Sequence, residues 1–221
     1  MITTPDLIAT LATNLEPVRR LRPPLVRAGG WVLLAVAIIA MLGVAHGLRN
    51  DIGLRLHEPV FATTLAAGLA TGVLAAIAIF YASQPDRSLR WLLFPVPPLV
   101  LWVSTVSYGC LTNWVSIGAA GIQLGETARC FATLLLTSVP LALAMYMMVR
   151  RAAPLRPTLV CAAGGIAIGG FTAAALSLLH ELDASAMVLI WTLATTAIFA
   201  ALGAVMGRRL PAARAGYEAH A

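Results

Sequence analysis

Six long apolar runs constrain the fold of this chain more than any other feature. A helix needs about 20 apolar residues to cross the hydrocarbon core of a bilayer. None of the runs contains Asp, Glu or Arg, and they cover residues 31–48, 60–82, 91–111, 131–149, 159–179 and 186–206. Of the 221 residues, 60% are hydrophobic and only 11% are charged, which excludes an ordinary soluble domain. The sequence therefore predicts an all-α, polytopic membrane protein, built as a bundle of six transmembrane helices.

The distribution of arginine predicts the orientation of this bundle. All 15 basic residues are arginines, and twelve of them lie in the two tails and the even-numbered loops. The other side has only Arg49, Arg55 and Arg129. Because basic residues accumulate on the cytoplasmic side of a membrane, we expect both termini to be cytoplasmic. The net charge of +6 then reflects topology and contact with the lipid bilayer, and we expect no direct nucleic-acid partner.

The N-terminal tail is longer than any of the segments that connect the apolar runs. We expect residues 1–29 to form a cytoplasmic partner-binding segment, 30–209 a six-helix transmembrane domain and 210–221 a cytoplasmic C-terminal tail. Within the first segment, Leu7, Leu11 and Leu15 recur every four residues with Ile8 beside them. This spacing predicts a short amphipathic helix over 5–15 that ends before Pro17. Its apolar stripe fits a partner that it folds against, and it equally fits the bilayer surface.

Prolines, glycines and charged residues predict local features of the helices and loops. Three prolines near the start of the third run, at positions 95, 97 and 98, are expected to distort that end of the span. Glycines 164, 165, 169 and 170 in the fifth run have the spacing that lets helices approach closely. The charged loop over 49–59 is expected to be a solvated connector.

One group of residues on the predicted outer side could support chemistry. Topology brings Cys110, Cys130, His180 and Glu181 to a similar depth. They could bind a soft or borderline metal ion, with Cys130, His180 and Glu181 as ligands, or the two thiols could respond to oxidation. Equally, buried cysteines and a solvated His-Glu pair are ordinary features of membrane helices. A small membrane transporter or redox protein that uses this group is therefore an alternative function.

Signatures of enzymes are missing from the sequence. The apolar runs contain no carboxylate, and no phosphate-binding loop, zinc-spaced cysteine pair or nucleophile elbow is evident. We therefore expect a protein that is not an enzyme and has no resident cofactor. A transient heavy-metal ion at the outer group is the one small ligand that the residues suggest.

Several short motifs follow one another in order along almost the whole chain. The N-terminal ones precede six spans, and the others follow within the bundle. They are Asp6-Leu7-Ile8 with Leu11, Pro17-Val18-Arg19-Arg20-Leu21, Pro23-Pro24, Arg27, Gly125-Glu126 before Cys130, Pro140, Arg150-Arg151-Ala152-Ala153-Pro154, Trp191, and Gly203 with Gly207-Arg208-Arg209. In this order and spacing the chain resembles the NrsF-type membrane anti-sigma factors.

This resemblance implies a six-span protein of the bacterial inner membrane that holds an extracytoplasmic-function sigma factor inactive. Binding would occur mainly through the cytoplasmic N-terminal segment, and stress would release the sigma factor. The binding residues expected from the motifs and from the apolar stripe are Asp6, Leu7, Ile8, Leu11, Leu15, Pro17, Val18 and Arg19.

The resemblance also implies a sensor of heavy metals or oxidants that uses two cysteines on the outer side. Cys130 matches the first of them. The second is expected directly after a histidine at the end of the fifth span, where this chain has His180 followed by Glu181. Either Cys110 supplies the second thiol, or Cys130 acts with His180 and Glu181 as a mixed ligand set, or this member responds to another signal.

Overall fold

The computed structural model of the protein describes residues 4, 6, 13, 22–84, 87–114, 124–152, 154, 156–179 and 185–218. The secondary structure of this part of the chain is helical, which confirms the predicted all-α class. In chain order the elements are α1 (Pro24–His46), α2 (Ile52–Arg55), α3 (Pro59–Ala82), a 3-10 helix (Leu89–Leu93), α4 (Val96–Trp114), α5 (Leu124–Arg150), α6 (Pro157–Leu179) and α7 (Ser185–Glu218).

Five helical stretches of the described residues are long and apolar enough to cross a membrane. They are Pro24–His46, Pro59–Ala82, Leu89–Tyr108, Cys130–Arg150 and Pro157–Leu179. These stretches correspond to the first five predicted runs. In α7 the apolar part, Leu189–Val205, is shorter. The sixth membrane span therefore stays a prediction.

Helix α1 begins seven residues before the first predicted run. Pro24 occupies its first turn, where a missing N–H costs nothing because that amide has no partner in any helix. The Pro23 carbonyl accepts the backbone N–H of Arg27 at 3.2 Å and so closes the first turn. Of residues 1–21, the structure describes Thr4, Asp6 and Thr13, which are helical and exposed. The rest of the predicted helix over 5–15 lies outside the described residues.

The cluster of prolines divides the third run, as predicted. Residues Leu89–Leu93 form a 3-10 helix, a turn follows at Phe94 and Pro95, and α4 begins at Val96. Proline has no N–H to donate and clashes with the preceding turn, so a helix cannot continue through Pro95. The next two prolines fall in the first turn of α4, where proline is tolerated. The predicted distortion of this end of the span is confirmed.

Helix α6 is the centre of the bundle. It packs against α1, α3, α5 and α7, and it is buried along most of its length. A Cβ atom on Gly165 would lie 2.3 Å from the Thr196 Cα of α7, and one on Gly170 would lie 2.6 Å from the Gly68 carbonyl oxygen of α3. Only glycine permits backbones to approach so closely, and the close packing predicted from the glycine spacing is confirmed.

Candidate functional site

The contacts between helices define two ends of the bundle. Side chains near Pro24 contact the last turns of α3 and α5, and we call this the proximal end. The loop after α1 contacts the last turn of α6, and we call this the distal end, which also includes Cys130 at the other end of α5. The N-terminal segment joins the proximal end, whereas Cys130, one of the predicted sensing residues, lies at the distal end.

Of the predicted partner-binding residues, the structure describes Asp6, which is exposed. The remaining ones lie outside the described residues. They are Leu7, Ile8, Leu11, Leu15, Pro17, Val18 and Arg19.

Arg27 connects three helices at the proximal end. It lies in the first turn of α1, is only 7% exposed, and donates from Nη2 to the carbonyl oxygen of Met148 in α5. The guanidinium carbon also lies 4.7 Å from the centre of the Phe80 ring of α3, a cation–π contact. The other terminal nitrogen, Nη1, is buried and has no hydrogen-bond partner in the part of the chain that the structure describes. None of the ion pairs among the described residues involves Arg27.

Trp31 forms a second connection between α1 and α5, one turn after Arg27. Its side chain is 1% exposed, and Nε1 donates to the carbonyl oxygen of Leu141 at 3.1 Å. The indole also meets Phe171 of α6 edge to face, with ring centres 5.5 Å apart. Because residues four apart share a face of a helix, Arg27 and Trp31 fasten the same face of α1 to α5.

Cys130 lies in a small apolar cluster at the distal end. Its free thiol is 3% exposed and packs with Leu134 of α5, Leu176 of α6 and the partly buried Trp191 of α7. Trp191 also meets Phe131 edge to face at 5.6 Å. The indole Nε1 of Trp191 is buried, and no described residue forms a hydrogen bond with it. In this arrangement the thiol is covered by apolar side chains, so an ion in water has no direct access to it.

The other predicted sensing residues are not placed relative to Cys130. Cys110 lies in α4, where the structure describes the backbone at that position, and His180 and Glu181 lie outside the described residues. Among the residues that were described, no group of three or more His, Cys, Asp or Glu side chains could hold a metal ion. The predicted ligand set of Cys130, His180 and Glu181 therefore stays a prediction.

The loop after α1 is the solvated connector that its charges predicted only in part, because Arg49 is buried. Arg49 is 5% exposed, its backbone N–H donates to the Leu178 carbonyl oxygen at 3.2 Å, and Nη1 donates to the Ser177 carbonyl oxygen at 3.5 Å. The loop thus closes over the last turn of α6, whose carbonyl groups have no partners within the helix. The residues after Arg49, which include the short helix α2, are mostly exposed.

A network of ion pairs holds Arg49 in this position. Its Nε and Nη2 atoms donate to the two carboxylate oxygens of Asp51 at 2.6 and 2.9 Å, a bidentate pair. Arg55 donates to Asp51 at 3.4 Å and to Glu58 at 3.0 Å. The hydrogen bonds from Arg49 are the main cause that lowers the pKa of the Asp51 carboxyl to about 2.

Sequence reasoning assigned Arg27 and Arg49 to topology, as charges that face headgroups or water. Their burial depends on acceptors far away in the chain, the carbonyl groups of Met148 and Leu178, which no local pattern reveals. The one local signal is position, because both arginines lie within four residues of the ends of the first apolar run. The side chain of an arginine near the end of a span can extend into the bundle as well as toward the headgroups and water.

A family model described as NrsF, negative regulator of sigma F, matches residues 11–211 of the chain. Neither a curated protein nor a solved structure matches it. The family match covers residues 11–29 of the N-terminal segment and all of α1 to α6, and it confirms the family resemblance. The Asp6-Leu7-Ile8 motif lies before the matched residues. The description is that of a regulator whose partner is a sigma factor, that is, an anti-sigma factor. The chain therefore belongs to the NrsF family, the negative regulators of sigma F.

Proposed function

We propose that the protein is an anti-sigma factor of the bacterial inner membrane that sequesters an extracytoplasmic-function sigma factor and releases it under stress. The observation that carries the proposal is the family match over residues 11–211, in a chain with five helical stretches able to cross a membrane. The stress is a heavy metal or an oxidant that acts at the distal end. In this scheme the protein performs no catalysis.

The N-terminal segment is the proposed binding element for the sigma factor. A helix of about eleven residues is marginal in water by itself, so its leucine stripe needs a surface to pack on. The segment leads through Pro23 directly into α1 and is therefore fixed to the bundle at one end. We assign binding to the helix over 5–15 and to the Pro17-Val18-Arg19 motif that follows. A segment that becomes ordered only on contact binds with modest affinity, so a change in the bundle can switch its binding to the sigma factor on or off.

The proposed orientation places the proximal end in the cytoplasm. A sigma factor acts in the cytoplasm, and twelve of the 15 arginines lie on the side that includes both termini. The distal end, with Cys130 and the loop of Arg49, then faces the outside. A signal from outside must therefore change the bundle itself in order to reach the N-terminal segment.

Cys130 is the proposed centre of sensing. Its contact with Leu176 brings α5 beside the last turns of α6, and His180 follows the end of α6 directly in sequence. This arrangement supports Cys130 with His180 and Glu181 as ligands for a soft metal ion, and Cys110 as the alternative second thiol. Because the thiol is covered, binding or oxidation requires the apolar cluster around Cys130 to open.

The proposal predicts that the full-length protein in detergent or nanodiscs captures a sigma factor encoded beside it. Replacement of Leu11 by Asp puts a charge in the middle of the leucine stripe and should weaken capture at least tenfold. The matched control is Thr13→Asp, which adds the same charge at an exposed position. Capture is measured by co-purification and by titration with the labelled sigma factor.

Two outcomes would contradict this prediction. If the wild-type protein captures no sigma factor, the proposed function is wrong. If Leu11→Asp and Thr13→Asp behave alike, the leucine stripe is not the binding surface. Deletion of residues 1–20 gives a further contrast, because it should abolish capture, whereas a transporter or redox protein would tolerate it.

A further inference from the structure

Two hydrogen bonds fasten α1 to α5 near the proximal end. Arg27 donates to the Met148 carbonyl oxygen, and Trp31 donates to the Leu141 carbonyl oxygen at 3.1 Å. Both acceptors are backbone groups of one helix, and both donors lie on one face of the other. We call this set of four residues, Arg27, Trp31, Leu141 and Met148, the α1–α5 latch.

The charge of the latch is incompletely satisfied. Arg27 is buried, and among the described residues its Nη1 has no hydrogen-bond partner and no carboxylate pairs with it. A buried guanidinium without an anion is costly and persists only while its remaining contacts hold. Those contacts are the Met148 carbonyl and the face of Phe80. If α5 moves away, Arg27 gains solvation by extending toward the headgroups, so the latch opens more readily than a fully paired one.

The latch lies between the two parts of the molecule that the proposed function has to connect. On one side, the N–H of Arg27 donates to the carbonyl of Pro23, the last residue before α1, so a shift of Arg27 moves the attachment of the N-terminal segment. On the other side, α5 continues from the latch to Cys130 as one helix, with Pro140 inside it next to Leu141. A displacement of α5 at the distal cluster therefore changes the positions of the Leu141 and Met148 carbonyl groups.

We propose that Arg27 and Trp31 are positioning residues, which hold α1 and the N-terminal segment in the arrangement that retains the sigma factor. The inference rests on the proposed function. Movement of α5 at the Cys130 end withdraws the two carbonyl acceptors, frees the first turns of α1 and lowers the affinity of the segment for the sigma factor. The latch is the two-state element that coupling between distant sites requires.

The informative variant is Trp31→Phe. It keeps an aromatic ring against Phe171 but removes the N–H donor. Loss of one buried hydrogen bond should shift the balance toward the released state and raise uninduced sigma-dependent transcription about threefold to tenfold. Arg27→Gln, which removes the charge, should raise it more, and Arg27→Lys should restore part of the retention.

Matched controls separate the latch from general packing. Trp102→Phe changes a tryptophan of α4 that is also buried, at 2% exposure, and Arg150→Gln removes an exposed charge from the end of α5. Neither should raise transcription. Hydrogen exchange on full-length protein in nanodiscs adds a structural measurement, in which Trp31→Phe should speed exchange at residues 27–35 and leave α6 protected.

The possible results distinguish the latch from the proposed function. If the wild-type protein captures no sigma factor, the proposed function fails, and the exchange measurement alone then tests whether the latch exists. If the wild-type protein captures it while Trp31→Phe and Arg27→Gln leave uninduced transcription and exchange unchanged, the latch is wrong. If Trp102→Phe has the same effect as Trp31→Phe, the effect is one of packing, and the latch is again wrong.

Discussion

At the scale of single residues, Asp51 shows how a charge at the surface can hold a buried one. Its carboxylate receives two hydrogen bonds from Arg49, which is buried, and a third from Arg55. These bonds favour the ionised form, so the pKa of the Asp51 carboxyl is about 2, below its usual 3.8. The contact of the loop with the end of α6 therefore depends on ionised Asp51.

This lowered pKa predicts a loss of order in the distal loop at acid pH. Because the pKa is lower in the folded protein than in the unfolded chain, the stabilisation is complete above the unfolded value of about 3.8 and is lost as the pH falls toward 2. We expect protection of the Arg49 amide from hydrogen exchange, corrected for the intrinsic rate, to decline between pH 4 and pH 2.

The variant Asp51→Asn tests whether protonation of Asp51 causes this loss of amide protection. It should already show the low protection at pH 7 and lose little more on acidification. Glu58→Gln is the control, since Glu58 bonds Arg55 and makes no ion pair with Arg49 among the described residues. An acid transition that persists in Asp51→Asn would assign it to another group.

The loop of Arg49 also marks what could not be predicted at this scale. Its composition of arginine, aspartate and glutamate is typical of a solvated connector, and its exposed part fits that prediction. The burial of Arg49 depends on Leu178, more than 120 residues later in the chain. Hydrophobic pattern and charge predict the local structure of a segment. They do not predict this contact, which forms only when α6 packs beside the loop.

At the scale of elements, the helices of the first five runs were predictable because an apolar run in a bilayer must satisfy its backbone groups internally. The interruption before α4 was also predictable, since none of the three prolines within four residues has a backbone N–H to donate. What the sequence could not indicate was which helix lies at the centre. The glycines of α6 suggested a close approach, but the partners α3 and α7 follow only from the assembled bundle.

The glycines of α6 provide a prediction at this scale. A methyl group on Gly170 would meet backbone atoms of Gly68 and Gly72 at 2.6 to 3.1 Å, and these atoms cannot move without shifting α3. Gly170→Ala should therefore lower the free energy of unfolding by about 1–3 kcal/mol, as overpacking generally does. The measurement is unfolding of the purified protein by SDS titration in mixed micelles.

Gly164→Ala is the matched control in the same helix. A methyl group there would first meet side-chain atoms of Phe199 and Met145, at 3.3 and 3.5 Å. These side chains can adjust, so the free energy of unfolding should change by less than about 1 kcal/mol. Equal losses for the two variants would mean that the approach of α6 to α3 is less close than the structure indicates.

At the scale of the whole molecule, the proposed signal must pass from Cys130 at one end of the bundle to the N-terminal segment at the other. We predict that Cys130→Ser retains capture of the sigma factor but loses release by heavy metals or oxidants, because the hydroxyl is a poor soft-metal ligand. The measurement is sigma-dependent transcription over a range of cadmium and peroxide concentrations.

The control for this prediction is Cys161→Ser. Cys161 is also a buried free cysteine, but it packs in the main core of the bundle rather than in the distal cluster. It should leave the response to inducers intact. A normal response in Cys130→Ser would remove this thiol from the sensing mechanism and leave the anti-sigma function itself unaffected.

The central position of α6 has a consequence for biogenesis. Helices leave the ribosome and enter the membrane in chain order, so α6 is made before α7. The face of α6 that includes Gly165 and Gly169 has no cover until the Thr192 and Thr196 side of α7 arrives. Truncated chains without α7 would thus expose this face to lipid and to quality-control proteases, so that only completed copies persist to compete for the sigma factor.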